Sequence, residues 1–473
     1  MGARRQRPVE TRPPLRDDDT HNGDYTMGPS ETADDGIDRR DMLTAVGGTA
    51  LAAALAGCSS LVGGNGDDGG GGKADVPDKP VKAGLQTFTE GAASVLGLQT
   101  QYGAELAVER INAAGGVAGR EMQLDVVHEG DKHVENYKQF VEEGKDVTFG
   151  PTSSGGHAAM APEVESQEVV NVGTDGTVTT LYEETVSDPT YSFRFQNYDV
   201  METTAAAREV VERLGADNIS TVAGINPNYA FGKDEFGMFV RALRKMTNGP
   251  LKVVHKGYPD LGASDMSAHI TTVNDKKPDV TFSSCWGGDV TTLLTQANAN
   301  DMFGNTQLVG SVLYSAVNDL KQNVVEQADA ISGSRNYYWG KPGTSRWKPG
   351  KTLLQDVKDK WDILPSAHFM SGYGAVAAWA TAVEKVVNIT GGWPSQKQVS
   401  QALEGHGFYT PAGYHVMSTD HQGMSNTYYG KMTYSKEHGG PILEDVNMHS
   451  PREVAPPPGT KAAKWLDSWP KQG

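Results

Sequence analysis

Residues 150–157, GPTSSGGH, combine hydroxyl side chains with flexible backbone. They follow the short apolar run 146–149 (DVTF) and precede an Ala/Met/Val-rich stretch of helical character through about Ser166. A strand, a Gly/Ser/Thr turn and then a helix leave unpaired N–H groups and hydroxyls at a helix N-terminus. The partial positive charge there attracts carboxylates and other anions. The same residues also suit an ordinary turn with serine as N-cap. His128 and His133, with Glu129 and Asp131 between them, have the residue types of metal ligands, but no H-E-x-x-H or C-x-x-C pattern accompanies them. No G-x-S-x-G elbow occurs, and nothing near the serine-rich stretch offers a base for a nucleophile. The absence of G-x-x-x-x-G-K-[ST] excludes ATP hydrolysis by the chain itself. No enzyme activity, cofactor or metal is expected.

The elements that must position this stretch alternate. Residues 81–88 read as a strand and 89–97 as a loop. Ala104, Ala107, Val108 and Ile111 then form one apolar helical stripe that stops at Gly115-Gly116. Residues 121–128 read as a strand, 135–143 as a helix, 146–149 as a third strand and 169–172 as a fourth. This order implies a parallel sheet with helices on both faces. The alternation restarts with helices at 200–214, 231–245, 264–274 and 289–300, and strands at 219–224, 251–257, 280–283 and 307–310. Two α/β lobes of similar size follow from this. Beyond Ile331 come a loop rich in Trp, Tyr and Pro, a long helix at 371–388, and a short-stranded remainder with turns at 411–413 and 418–423.

The 473 residues carry 59 acidic against 42 basic side chains, a net charge of −17. That sign excludes nucleic acid as a partner, and the even spread of carboxylates suits an acidic surface like that of salt-adapted proteins. Arg39-Arg40, the uncharged run 42–57 and LAGC ending at Cys58 read as a twin-arginine export signal with a lipid-modified cysteine. The run is shorter than the ~20 residues a membrane span needs. Met27 would give such a signal an ordinary beginning. Residues 58–80 form a Gly/Asp-rich tether. With Cys58 lipidated, Cys285 is left alone and no internal disulfide is expected. The protein is expected at the outer face of the cell membrane, lipid-anchored.

Five motifs in order over roughly 81–446 make the chain resemble the substrate-binding proteins of branched-chain amino acid ABC transporters. They are INAAGGVAG at 111–119, GPTSSGG, NYAFG at 228–232, SDMSAHITTVNDKKPDV at 264–280, and DHQG at 420–423. The resemblance implies a type I periplasmic binding protein: two doubly wound parallel-sheet lobes joined by a three-crossover hinge. Crossings are expected near Tyr198, Arg335 and Met424. That places 81–198 with 336–424 in lobe 1 and 199–335 with 425–450 in lobe 2, leaving 451–473 as a tail. It further implies a monomer that closes on a small ligand and docks on a permease. A sensor of the same fold feeding a signalling partner is the alternative.

By resemblance, the ligand carboxylate falls to Ser154, with Thr152 and Ser153 beside it, and to Thr177, with Asp175 two residues earlier. Second-lobe contacts fall on Tyr229 or Phe231 and on Trp286. The histidine pair and its acids lie where the family has a variable acidic loop. One departure stands out. The family's amino-acid binders place a carboxylate for the ligand ammonium in the loop that reads VGSVLYSA here, at 309–316. Either Asp175 or Asp289 replaces it, or the ligand is not an α-amino acid but an amide, urea or a simple carboxylate.

Overall fold

The computed structural model describes residues 75–341 and 347–470. Arg39-Arg40, Cys58, Met27 and most of the expected tether lie outside the described residues. Within them no helix is long and apolar enough to cross a membrane.

The first sheet has the order β2-β1-β3-β4-β5, all parallel. Its strands are β1 (Val81–Thr87), β2 (Met122–His128), β3 (Val147–Phe149), β4 (Asn171–Gly173) and β5 (Ser192–Arg194). Helices α1 (Ser94–Ala113), α2 (His133–Glu142) and α3 (Ser154–Gln167) connect β1 to β4. The central strands read as continuous apolar runs because both faces are covered: Val147 and Phe149 on β3 are fully buried.

The second lobe begins with α4 (Asp199–Leu214) and continues through β6 (Thr221–Ile225), α5 (Ala230–Met246), β7 (Lys252–Gly257) and α6 (Ser267–Lys276). Next come β8 (Val280–Ser283), α7 (Gly288–Ala299), β9 (Gln307–Gly310) and β10 (Ala330–Gly333). These strands are parallel, in the order β10-β9-β8-β6-β7, but the sheet is mixed overall. The hairpin β14 (Thr427–Ser435) and β15 (Gly440–His449) adds two antiparallel strands beside β10.

The stretch expected as a Trp/Tyr/Pro-rich loop contains a helix, α9 (Lys348–Trp361), with α8 (Gln322–Val325) before it. Then α10 (Ala367–Thr390) returns to the first lobe and packs along α1. The two backbones nearly touch. A Cβ on Gly103 would lie 1.8 Å from the Phe369 carbonyl oxygen, and one on Gly372 would lie 1.9 Å from that of Thr100. After α11 (Gln396–Leu403) a small antiparallel sheet follows, made of β11 (Gly407–Thr410), β12 (Gly413–Met417) and β13 (Gly423–Met424). Residues 451–470 are not an idle tail. They form α12 (Pro451–Val454) and α13 (Ala462–Ser468), which lay Val454, Ala462 and Leu466 into the second-lobe core against α4 and α5.

The chain passes between the sheets after β5, after β10 and before β14. The three segments are bonded side by side. Asn197 Nδ2 donates to the Ser425 carbonyl (3.1 Å) and the Thr427 hydroxyl (2.9 Å). Ser334 N donates to the Tyr428 carbonyl (2.9 Å), and Tyr428 N to the Arg335 carbonyl (3.1 Å).

Candidate functional site

In open parallel sheets, ligands settle outside the carboxyl ends of the strands where the strand order reverses. In the first sheet that point lies between β1 and β3, and in the second between β6 and β8. The segments leaving these four strands carry Phe88 and Glu90, the 150–154 loop, Tyr229 and Trp286. Together they wall a cleft of about 380 Å³.

The loop after β3 is held from beneath. Gly150 has φ +89°, and a Cβ there would sit 2.1 Å from the Gln86 carbonyl oxygen, so only glycine fits. The buried Asn171 donates to the Gly150 carbonyl at 2.9 Å. Ser153 caps α3, its hydroxyl accepting from Gly156 N at 3.0 Å. The Thr152 and Ser153 amides are not open to a ligand. They donate to the two carboxylate oxygens of Glu129 at 2.7 and 2.8 Å. Glu129 is fully buried, and burial pushes its carboxyl up to about 7 against the pull of those bonds. The Thr152 hydroxyl pairs with that of Thr87 at 3.0 Å. This leaves the Ser154 and Gly155 amides as first-turn groups with no intrahelical acceptor, and Ser154 itself lines the cleft. Glu129 therefore supports the loop, and among the described residues no group of three or more side chains is placed to hold a metal.

The loop after β4 supplies Asp175 and Thr177. Asp175 Oδ1 accepts from Arg335 Nη1 at 2.7 Å, and Oδ2 lies 3.2 Å from His368 Nε2. Arg335 Nη2 reaches the Thr177 hydroxyl at 3.4 Å. Burial alone would raise the Asp175 carboxyl, but the Arg335 charge and the His368 contact outweigh it and hold it at about 2. On the other flank of Arg335, Glu202 Oε2 lies 3.3 Å from Nε, and burial raises that carboxyl to about 8. Burial likewise pushes the neighbouring Asp199 and Glu235 carboxyls well above the usual range.

From the second lobe, Tyr229 and Phe231 stack with centroids 5.9 Å apart, and Trp286 Nε1 donates to the Tyr229 hydroxyl at 2.9 Å. Leu261, 49% exposed, stands at the rim. The structure thus brings Thr152, Ser153, Ser154, Asp175, Thr177, Tyr229, Phe231 and Trp286 to one cleft. Asp289 does not join them. Its carboxylate turns away to accept from Gly262 N at 3.1 Å. From the VGSVLYSA segment Val312 lines the cleft, so an apolar side chain stands on that wall. The sequence does not mark Arg335 and His368 as site groups, and marks Glu129 only as a residue type of metal ligands. Arg335 fell at an expected crossing, and a basic residue there was the available signal. His368 lay ahead of the expected helix start, and no local pattern marked it.

This architecture, two doubly wound lobes with a cleft between their switch points, is that of a type I periplasmic binding protein. The periplasmic binding protein family model matches residues 80–438, and the chain belongs to that family. The family is one of exported solute-binding transport proteins and not of enzymes, and this chain is similar to Leu/Ile/Val-binding proteins and to solute-binding proteins of ABC transporters. Leu/Ile/Val-binding protein BraC3 of Rhizobium johnstonii is 24% identical over 308 residues, covering 64% of this chain and 79% of the relative. Among solved structures, a Rhodopseudomonas palustris solute-binding protein in complex with 3,4-dihydroxybenzoic acid has a TM-score of 0.69 at 16% identity. It covers 81% of this chain and 99% of that one. The isoleucine complex of LivJ from Streptococcus pneumoniae has a TM-score of 0.63 at 18% identity, covering 79% and 100%.

Proposed function

We propose that this protein captures a small carboxylate with an apolar, preferably aromatic, body and delivers it to the permease of an ABC importer. The observation that carries this reading is the state of Asp175. It is already paired with Arg335 and His368, so the buried acid of the cleft is not free for an α-ammonium group, and the other acid lining it, Glu90, is exposed. A zwitterionic amino acid would bury its ammonium unpaired, at a cost of several kcal/mol. A carboxylate can take the Ser154 and Gly155 amides with the Ser154 and Thr177 hydroxyls. The rings of Tyr229, Phe231 and Trp286 suit a flat apolar body, and the relative holding 3,4-dihydroxybenzoic acid is a binder of that kind.

In this reading residues 1–57 direct export, Cys58 carries the lipid anchor, and 58–80 tether a monomer whose lobes are 81–198 with 336–424 and 199–335 with 425–450. The acidic surface is an adaptation to salt. A thermal-shift panel of benzoate, hydroxybenzoates, leucine, isoleucine, benzamide and urea in high salt tests the ligand class. A ligand at a hundred times its dissociation constant adds about 2.7 kcal/mol to stability. Stabilisation by aromatic carboxylates and not by leucine is expected, and the Ser154→Ala/Thr177→Ala double variant should lose it while staying folded. Stabilisation by leucine alone would sink the reading.

A further inference from the structure

Arg335 sits where the second crossing leaves β10, with φ +45°, a left-handed conformation that a non-glycine residue adopts at some cost. The residue is 4% exposed, and its guanidinium meets both lobes at once. Asp175 and Thr177 reach it from the first-lobe loop after β4. Glu202 reaches it from the first turn of α4, and the Phe231 ring, at the start of α5, lies 5.8 Å from the guanidinium carbon. Asp175, Thr177, Phe231 and Arg335 all line the cleft as well. One side chain therefore touches the hinge, each lobe and the ligand space.

Its donors are not used up. A guanidinium carries five N–H donors in a fixed fork. Arg335 commits one to Asp175 and one to Thr177, and its Nε faces the Glu202 carboxyl at 3.3 Å, which leaves the second hydrogen of Nη1 and that of Nη2 without a further bond among the described residues. A group so deeply buried keeps its donors filled when it can, because each unfilled one costs free energy. An anionic group entering the cleft would meet these open donors at the point where the two lobes are held together.

We propose that Arg335 is the specificity-determining residue of the cleft: it reads the ligand's negative charge and ties that reading to lobe closure. It does so through simultaneous contacts to Asp175 and Thr177 on one lobe and Glu202 and Phe231 on the other. The Ser154 loop positions the ligand, and Arg335 decides whether an acid or its neutral isostere closes the trap. This rests on the reading that the cleft takes a carboxylate.

The test compares benzoate with benzamide, equal in shape and different in charge. Affinity is read by calorimetry. Closure is read as the distance between spin labels at Asp131→Cys and Asp260→Cys, one on each lobe. In the otherwise unaltered protein, benzoate should bind at least a hundredfold more tightly than benzamide and shorten the label distance. Arg335→Gln should weaken benzoate about a hundredfold, leave benzamide within threefold, and abolish the shortening at saturating benzoate. The Arg335→Gln/Asp175→Asn double variant removes both members of the buried pair, leaves no lone buried charge, and should behave as Arg335→Gln does. Arg335→Lys, which keeps the charge and loses the fork, should recover part of the benzoate preference. Benzoate binding and closure unchanged in Arg335→Gln, or in the double variant if the single one does not fold, would overturn the proposal and leave the carboxylate reading standing. If the unaltered protein binds no carboxylate of the panel, the ligand reading fails and the proposal fails with it.

Discussion

Replacing Asp175 by asparagine tests the electrostatic centre of the cleft. Its carboxyl titrates at about 2, against 3.8 for an unperturbed aspartate. The gap is worth about 2.4 kcal/mol, at roughly 1.36 kcal/mol per pH unit. Because the folded value lies below the unfolded one, this stabilisation is fully present above pH 3.8 and is lost as pH falls through about 2. At pH 3, about 1 kcal/mol of it is gone. Orphaning a buried ion commonly costs about 3–5 kcal/mol. Asp175→Asn should cost less at pH 7, about 2–3 kcal/mol, because a substitute counter-ion is at hand. Glu202 lies 3.3 Å from Arg335 Nε, and the Asp175 charge is one of the influences that keep it protonated. With Asp175 neutralised, Glu202 ionises more readily and takes its place. Urea denaturation followed by tryptophan fluorescence at pH 7, 5 and 3 measures the gap between the two proteins. It should be wider at pH 5, where Glu202 ionises less, than at pH 7, and narrower by about 1 kcal/mol at pH 3 than at pH 5. A loss under about 0.5 kcal/mol at pH 7, or a gap that does not narrow between pH 5 and 3, would refute the pairing.

Gly103→Ala drives a methyl group to 1.8 Å from the Phe369 carbonyl oxygen, a contact that only movement of α1 or α10 relieves. A destabilisation of roughly 3 kcal/mol in urea is expected, and a change below about 1 kcal/mol would mean the helices are not held so closely. Trp286→Ala removes an aromatic wall and the donor to the Tyr229 hydroxyl, and should weaken an aromatic carboxylate about tenfold by calorimetry. Unchanged affinity would take Trp286 out of the binding surface. Burial, with Lys341 adding to it, lowers His415 to about 3 from 6.5. The stability this histidine gives as a neutral group is present above pH 6.5 and is lost as pH falls toward 3, by about 2 kcal/mol at pH 5. His415→Gln should reduce the fall in stability between pH 7 and 5 by about that amount, and an identical fall would contradict the assignment.

The alternation from β1 to β9 was legible because strands covered on both faces read as apolar runs, and the helices between them keep one apolar stripe. Much of the rest is too short or too polar to show a period. β5 and β10 have three and four residues. Helix α9 opens Lys348-Pro349-Gly350 and buries only Gly350, Leu353 and Val357. The hydroxyl loop and the aromatic wall were visible as local motifs. The charges around them were not, because their partners are remote in sequence. Arg335 meets Asp175 across 160 residues, and Glu129 turns under the amides of Thr152 and Ser153 only once β2 and β3 flank β1. Asp289 misled for the converse reason. It was one of two acids that could replace the one missing from VGSVLYSA, but its carboxylate accepts from the Gly262 amide.

The close packing of α1 on α10 bears on how the protein is made. Gln99 on α1 accepts a hydrogen bond from the amide of Ser366, the N-cap of α10, 267 residues later. Until α10 has emerged from the ribosome, the first sheet lacks one of its covering helices, and the apolar side of α1 stays open to water or to another chain. Contacts of such long sequence separation are slow to form, because the intervening chain must be brought together before they reward it. The second lobe's parallel strands, being continuous in sequence from β6 to β10, can assemble while the first still waits. Synthesis therefore runs ahead of folding for the first lobe, and the second in turn waits for β14, β15 and residues 451–470 to complete its sheet and core. The nascent chain needs shielding over that interval, and a stop anywhere before α10 leaves a first lobe that cannot complete its core.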